Sequence, residues 1–144
     1  GIMQKGGYSL FCQTGFDMKI LIVDDEHTTR VILTKFLHRC GYNDIIEAKD
    51  GKSALELLEK EQVGLILSDW GMPDMDGLEF LRLVRANQKY ASVPFLMVTA
   101  HTDKASIVTA VKSGVTSYIV KPVTLEKLQD KVNEVLQKNP LTRK

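Results

Sequence analysis

Four short stretches of the chain end in side chains able to do chemistry. "ILIVDDE" closes on Asp24, Asp25 and Glu26, "GLILSD" on Asp69, "FLMVTA" reaches Thr99, and "SYIVKP" reaches Lys121 just before Pro122. Each is an apolar run that stops at a polar group. Carboxylates set close together repel and raise one another's pKa unless a cation relieves them. Hard oxygen ligands in a small site suit Mg²⁺, or the similar Mn²⁺, which keeps several waters and takes one or two carboxylates plus a phosphate. A lysine ammonium is a point-charge partner for a phosphate oxygen. The chemistry suggested is metal-assisted phosphoryl transfer, in which positioning and charge neutralisation dominate. One carboxylate could itself attack phosphorus and form an acyl phosphate.

Taken singly, each residue has a plainer reading. An aspartate at a strand end is commonly a turn or cap residue. A Lys-Pro pair is commonly a loop, and a strand-end threonine commonly bonds to backbone. Trp70, beside Asp69, would alone read as a packing aromatic. The joint occurrence at four strand ends favours a site, provided the elements bring those ends together.

The elements do so if the chain is α/β. Apolar strand runs are read at 18–25, 44–48, 64–69, 93–100 and 117–121. Helical periodicity lies between and after them. Leu33, Phe36, Leu37 and Cys40 share a face, with Gly41 closing that helix. Ala54, Leu55 and Leu58 mark a helix starting near Gly51, and Phe80, Leu81 and Val84 mark one after Gly77. Ile107, Val108 and Val111 mark another, started by Thr102 or Asp103 and stopped by Gly114. Leu125, Leu128, Val132, Val135 and Leu136 mark the last, with Thr124 as N-cap. Strict alternation predicts a parallel sheet covered by helices on both faces. Ligands of such sheets bind at the carboxyl ends of the strands, where the polar residues stand.

Composition bounds the function. The 144 residues suffice for one ordinary domain. With 19 Lys and Arg against 18 Asp and Glu, no global charge favours nucleic acid or a membrane surface. No apolar run approaches the roughly 20 residues of a membrane span. Cys12 and Cys40 form no metal-binding motif, and Cys40 is expected to be a buried free thiol, which fits a reducing cytoplasm. His27, His38 and His101 are scattered. "DGKS" at 50–53 resembles the end of a phosphate-binding loop, but the earlier glycine that motif requires is Ile46. Residues 1–17 are glycine-rich and aperiodic, and Met18 is a plausible biological start. They are read as an extension, 18–138 as the domain and 139–144 as a tail.

The set "ILIVDDE", "LSDWGMPDMDG", "MVTA" and "YIVKP" resembles the receiver domain of two-component response regulators, from about Met18 to Lys138. "HTTR", "AKDG" and "YIVKPVT" extend the likeness to single-domain chemotaxis receivers, which carry no attached output domain. The resemblance implies a flavodoxin-like (βα)5 fold with strand order 2-1-3-4-5. It implies that Asp69 accepts phosphoryl from a histidine kinase, and that Asp24, Asp25, Asp69 and the Gly71 carbonyl hold the metal. Lys121 would pair with the phosphoryl group, Thr99 would swing its hydroxyl toward it, and Tyr118 would move inward. The Lys121–Pro122 bond would be cis.

The resemblance also implies a switch and not an ordinary enzyme, with Mg²⁺-dependent autophosphorylation and slow autodephosphorylation. Its signalling face would be formed by helix 4, strand 5 and helix 5, with Lys104, Ile107, Tyr118, Val120, Lys127 and Lys131. A flagellar motor switch protein is the partner this implies. The alternative is a shuttle passing phosphate to a histidine phosphotransfer protein. A cytoplasmic monomer with no nucleic-acid or membrane partner is expected. Two positions depart from the best-known chemotaxis pattern: Gly71 stands where a polar side chain is common, and His101 where an acid would be expected.

Overall fold

A computed structural model of the chain describes residues 18–138; the extension 1–17, with Cys12, and the tail 139–144 lie outside the described residues. The order of elements is β1 (Lys19–Val23), α1 (His27–Arg39), β2 (Asp44–Ala48), α2 (Gly51–Lys60), β3 (Leu65–Asp69), α3 (Gly77–Ala86), β4 (Phe95–Thr99), α4 (Lys104–Lys112), β5 (Ser117–Val120) and α5 (Leu125–Lys138). All strand pairs are parallel and the sheet order is β2-β1-β3-β4-β5. The expected flavodoxin-like α/β architecture is therefore present.

Alternation of side chains along each strand builds two cores from continuous apolar runs. Ile20 and Ile22 of β1, Leu65 and Leu67 of β3 and Leu96 of β4 pack with Leu33 and Leu37 of α1 and Leu128, Val132 and Val135 of α5. Their neighbours Leu21, Val23, Ile66, Phe95 and Met97 point the other way, onto α2 and α3. There the rings of Phe80 and Phe95 lie tilted, 5.6 Å apart. Helix α4 is the exception, since Ala110 is its one buried residue. It is the most lightly embedded helix of the fold. Among the described residues no helix is long and apolar enough to cross a membrane.

β2 spans 44–48 as expected, and the other four strands are shorter than their apolar runs. β1 stops at Val23, leaving Asp24 and Asp25 in the turn. β4 starts at Phe95 because Pro94 has no N–H to give a ladder. Helices α2 to α5 start at side-chain caps, whereas α1 starts at Glu26 without one. Asp103, not Thr102, caps α4 by accepting from Ser106 N at 2.9 Å. Thr124 Oγ1 accepts from Lys127 N at 3.2 Å. Asp50 accepts from Ser53 N at 2.8 Å, so "DGKS" is a helix cap. Gly41 and Gly114 adopt φ of +98° and +101° just past α1 and α4, a left-handed turn that glycine takes without a Cβ penalty. Cys40 is free as expected but only half-buried, a correction to the buried thiol expected. It is the C-cap of α1, packed partly buried against the core that holds Leu37 and Tyr42, and that burial raises its thiol pKa.

Candidate functional site

Parallel strands put all their carboxyl ends at one rim. Asp69 is the last residue of β3 and Thr99 the last of β4, while Asp24 and Lys121 follow β1 and β5 immediately. Ligand oxygens of Asp24, Asp25 and Asp69 all lie within 4.8 Å of one another. Asp24 and Asp69 are buried and Asp25 is exposed, so the cluster opens toward solvent on the Asp25 side. Lys121 Nζ is 2.9 Å from Asp69 Oδ1.

The electrostatics follow from this crowding. Burial pushes the Asp24 carboxyl up to about 6, and the charges of Asp69 and Asp25 push the same way. The Glu26 N–H, which donates to Asp24 Oδ1 at 2.8 Å, and the Lys121 ammonium oppose the rise without cancelling it. Burial alone would lower Lys121. The hydrogen bond and charge of Asp69, with Asp24 and Glu26 behind, outweigh it and hold the amine above its ordinary range. Three carboxylates against one ammonium leave negative charge uncompensated at the rim. That is the condition that favours a hard divalent cation.

The loop after Asp69 is fixed by backbone and packing. Trp70 N donates to Val98 O at 3.1 Å, and Gly77 N closes the loop onto Trp70 O at 2.7 Å. Met72 is buried in the core shared with α2 and α3. Asp76 caps α3 by accepting from Glu79 N at 2.9 Å. Gly71 is exposed, and a Cβ there would meet nothing within 4 Å. A Cβ at Gly77 would overlap the Asp69 carbonyl and stand 2.8 Å from Trp70 Cα. The start of α3 can lie against the end of β3 only because residue 77 is glycine.

Thr99 is buried, and its Oγ1 accepts from His101 N at 2.8 Å. The His101 ring meets Trp70 edge-on, with centroids 5.0 Å apart. His101 thus bridges the strand carrying Thr99 to the residue after Asp69. Thr99 pairs with Val120 and Met97 with Tyr118, so Tyr118 lies one pleat below Thr99 instead of opposite it. Thr99 and Tyr118 still project from the same face of the sheet, two residues apart in register. The Lys121–Pro122 bond is cis.

The residues expected on the signalling face divide into two groups. Tyr118, Val120, Lys127 and Lys131 line one groove of about 330 Å³ with Ile119 and Asp130. Lys104 and Ile107 stand apart on α4. Both groove lysines have partners within the chain. Lys127 Nζ donates to the carbonyls of Val120 at 3.3 Å and Pro122 at 3.1 Å. Lys131 Nζ sits 5.7 Å from the Tyr118 ring centroid and 3.3 Å from Glu134 Oε1.

Sequence reading missed three supports of the site. Gly77 looks like any residue after an N-cap, because the overlap that forbids a side chain there is tertiary. Ser68, inside an apolar run, donates its hydroxyl to the Asp69 carbonyl at 2.9 Å. Arg30, on α1, donates from Nη1 to the Asp24 carbonyl at 2.7 Å. Only the polar break at Ser68 was visible as a signal.

Known proteins agree with this geometry. The profile of the response regulator receiver domain matches residues 20–133. A chemotaxis protein CheY homolog of Campylobacter jejuni is 47% identical over 120 residues, covering 83% of this chain and 92% of the relative. The structure of chemotaxis protein CheY4 of Vibrio cholerae superposes with a TM-score of 0.78 at 34% identity, over 83% of this chain and 98% of the other. A receiver domain of a Pseudomonas aeruginosa sensor histidine kinase, solved with a magnesium ion coordinated in its active-site cleft, gives 0.74 at 25% identity, over 83% and 97%. A five-unit parallel fold, an acid cluster at its rim and this match over most of its length together establish that the chain belongs to the response regulator receiver domain family.

Proposed function

We propose that the chain is a chemotaxis response regulator switched by phosphorylation of Asp69, with a histidine kinase as donor. The observation that carries the proposal is the meeting of Asp24, Asp25 and Asp69 around one point with Lys121 in contact with Asp69. A carboxylate oxygen of Asp69 would attack the phosphorus of a phosphohistidine. The P–N bond breaks, the imidazole keeps the bonding electron pair and takes up a proton from water, and an acyl phosphate remains on Asp69. Asp24, Asp25, Asp69 and the Gly71 carbonyl would hold Mg²⁺, which when bound neutralises charge developing on the phosphoryl oxygens. Lys121, already paired with Asp69, would follow the new phosphoryl oxygen.

Signal output then depends on Thr99. Its hydroxyl is held by a single backbone N–H, that of His101, and could turn toward a phosphoryl oxygen with one bond exchanged. The β4–α4 loop would move with it, and α4 is the helix with least to lose. Tyr118 would take the space vacated, altering the groove with Lys127 and Lys131. Phosphorylation would shift a pre-existing two-state equilibrium. The chemotaxis relatives favour a flagellar motor switch protein as the partner over a phosphorelay shuttle.

Trp70 is the only tryptophan of the chain and adjoins Asp69, so it reports on the site. Its fluorescence should change on Mg²⁺ addition, and change again when beryllofluoride is added as a phosphoryl mimic. Silence in both titrations, with a folded protein, would refute the assignment. The proton should compete with the metal. The metal-free Asp24 carboxyl is raised, so its protonated form is the one the metal-free fold favours. Its contribution to stability is present below the ordinary carboxylate pKa and is lost as pH rises through about 6. Mg²⁺ needs the ionised form, so its apparent affinity should fall as pH drops from 7.5 through 6. An affinity constant down to pH 5 would contradict this.

A further inference from the structure

Asp24 is the most confined of the three acids, and its confinement converges on β2. Its N–H donates to Ala48 O at 3.1 Å. Its carboxylate accepts from Glu26 N at 2.8 Å. Its carbonyl accepts from Arg30 Nη1 at 2.7 Å, and Arg30 Nε donates to Glu47 Oε1 at 2.9 Å. Glu47 and Ala48 are consecutive residues at the end of β2. The peptide of Asp24 is therefore tied to β2 on both sides, directly through Ala48 and indirectly through the Arg30 guanidinium. The Arg30 side chain is 15% exposed and its bond to the Asp24 carbonyl is partly buried, while the Glu47 carboxylate at the other end of the bridge is 40% exposed.

We propose that Arg30 is a positioning residue for cation binding, which fixes the Asp24 peptide by bridging it to Glu47. The proposal rests on the reading of the acid cluster as a Mg²⁺ site. The guanidinium suits the task because its planar fork donates from Nε and Nη1 at fixed separation and direction. One edge of the fork meets a carboxylate and another a carbonyl six residues back in the chain. A lysine keeps the charge but has one nitrogen on a flexible stem and cannot reproduce both bonds. Outer partners that orient metal-binding groups commonly govern affinity without touching the ion.

Charge and positioning predict opposite results here. Arg30 places a positive charge beside an anionic site. If charge were its only influence, removing it would strengthen cation binding and Arg30→Lys would leave binding unchanged. If Arg30 positions the Asp24 peptide, both Arg30→Met and Arg30→Lys weaken binding. A purely structural role would lower thermal stability and leave the affinity of the folded protein alone.

The test measures Mg²⁺ affinity of the full chain by calorimetry, with Trp70 fluorescence in parallel, for wild type, Arg30→Lys, Arg30→Met and Glu47→Gln. The expected result is a weakening on the order of tenfold for both Arg30 variants, and a smaller weakening for Glu47→Gln. Equal or tighter binding by Arg30→Met, or wild-type affinity in Arg30→Lys, overturns the proposal. Should Arg30→Met not fold, Arg30→Lys and Glu47→Gln decide alone. Failure of the wild type itself to bind Mg²⁺ would instead strike the reading of the site.

Discussion

Asp69→Asn should abolish phosphoryl uptake from a small-molecule phosphodonor in the presence of Mg²⁺. The amide is nearly the same size, so the fold should persist, and a neutral amide oxygen is a poor nucleophile that cannot form an acyl phosphate. The substitution has a second consequence that separates it from simple damage. The charge of Asp69 helps hold the Asp24 carboxyl up near 6. Removing that charge should lower the Asp24 pKa toward the ordinary carboxylate range. The loss of metal-free stability as pH rises through about 6 should then diminish, because the folded and unfolded pKa values draw together. Mass spectrometry after incubation with the phosphodonor reads the first effect, and urea unfolding at pH 5 and 7.5 reads the second. Label uptake at the wild-type rate would mean that another residue is the acceptor.

Gly77→Ala should be among the most damaging single-methyl changes in the chain. On an ordinary helix, glycine to alanine is favourable. Here the added Cβ would overlap the Asp69 carbonyl and approach Trp70 Cα, backbone on both counts. Neither can swing aside as a flexible side chain would, so the start of α3 must separate from the end of β3. Overpacking of this kind costs roughly 1–3 kcal/mol. The displacement falls on the loop bearing Gly71 and on Asp69 itself, so Mg²⁺ binding should weaken with stability. Urea unfolding and the Trp70 titration together check both halves. An unchanged urea midpoint would show that the loop has slack the close contact denies.

The fold was legible because it rests on periodicity. Five apolar runs alternating with five helical faces leave few arrangements for the chain, and side-chain caps such as Asp103 and Thr124 locate the helix starts. The acids, Thr99 and Lys121 were legible for a related reason. Each interrupts an apolar run at its end, and parallel strands must bring those ends together. What escaped was tertiary. Nothing local marks Gly77 as a contact with Asp69, or Arg30 as a bond to the Asp24 carbonyl. Apolar runs also overstate strands: the run at β1 includes acids that stand in the turn, and that at β4 includes Pro94. The register of β4 and β5, which sets Tyr118 beside Met97, depends on pairing between chain segments and cannot be counted from either alone. The covering of Cys40 likewise depends on where α1 ends relative to its neighbours.

Gly71 and His101 share one neighbourhood. A side chain at the first would meet nothing, and the second holds Thr99 by its backbone and Trp70 by its ring.

The most direct measurement is the chemical identity of the phosphorylated residue. The wild-type chain would be incubated with Mg²⁺ and a small-molecule phosphodonor, then treated with borohydride, which reduces an acyl phosphate to an alcohol. Peptide mass spectrometry should find residue 69 converted from aspartate to homoserine, with Asp24 and Asp25 unchanged. Conversion at either of those residues, or phosphate stable to borohydride on a hydroxyl or imidazole side chain, would contradict Asp69 as the phosphoacceptor.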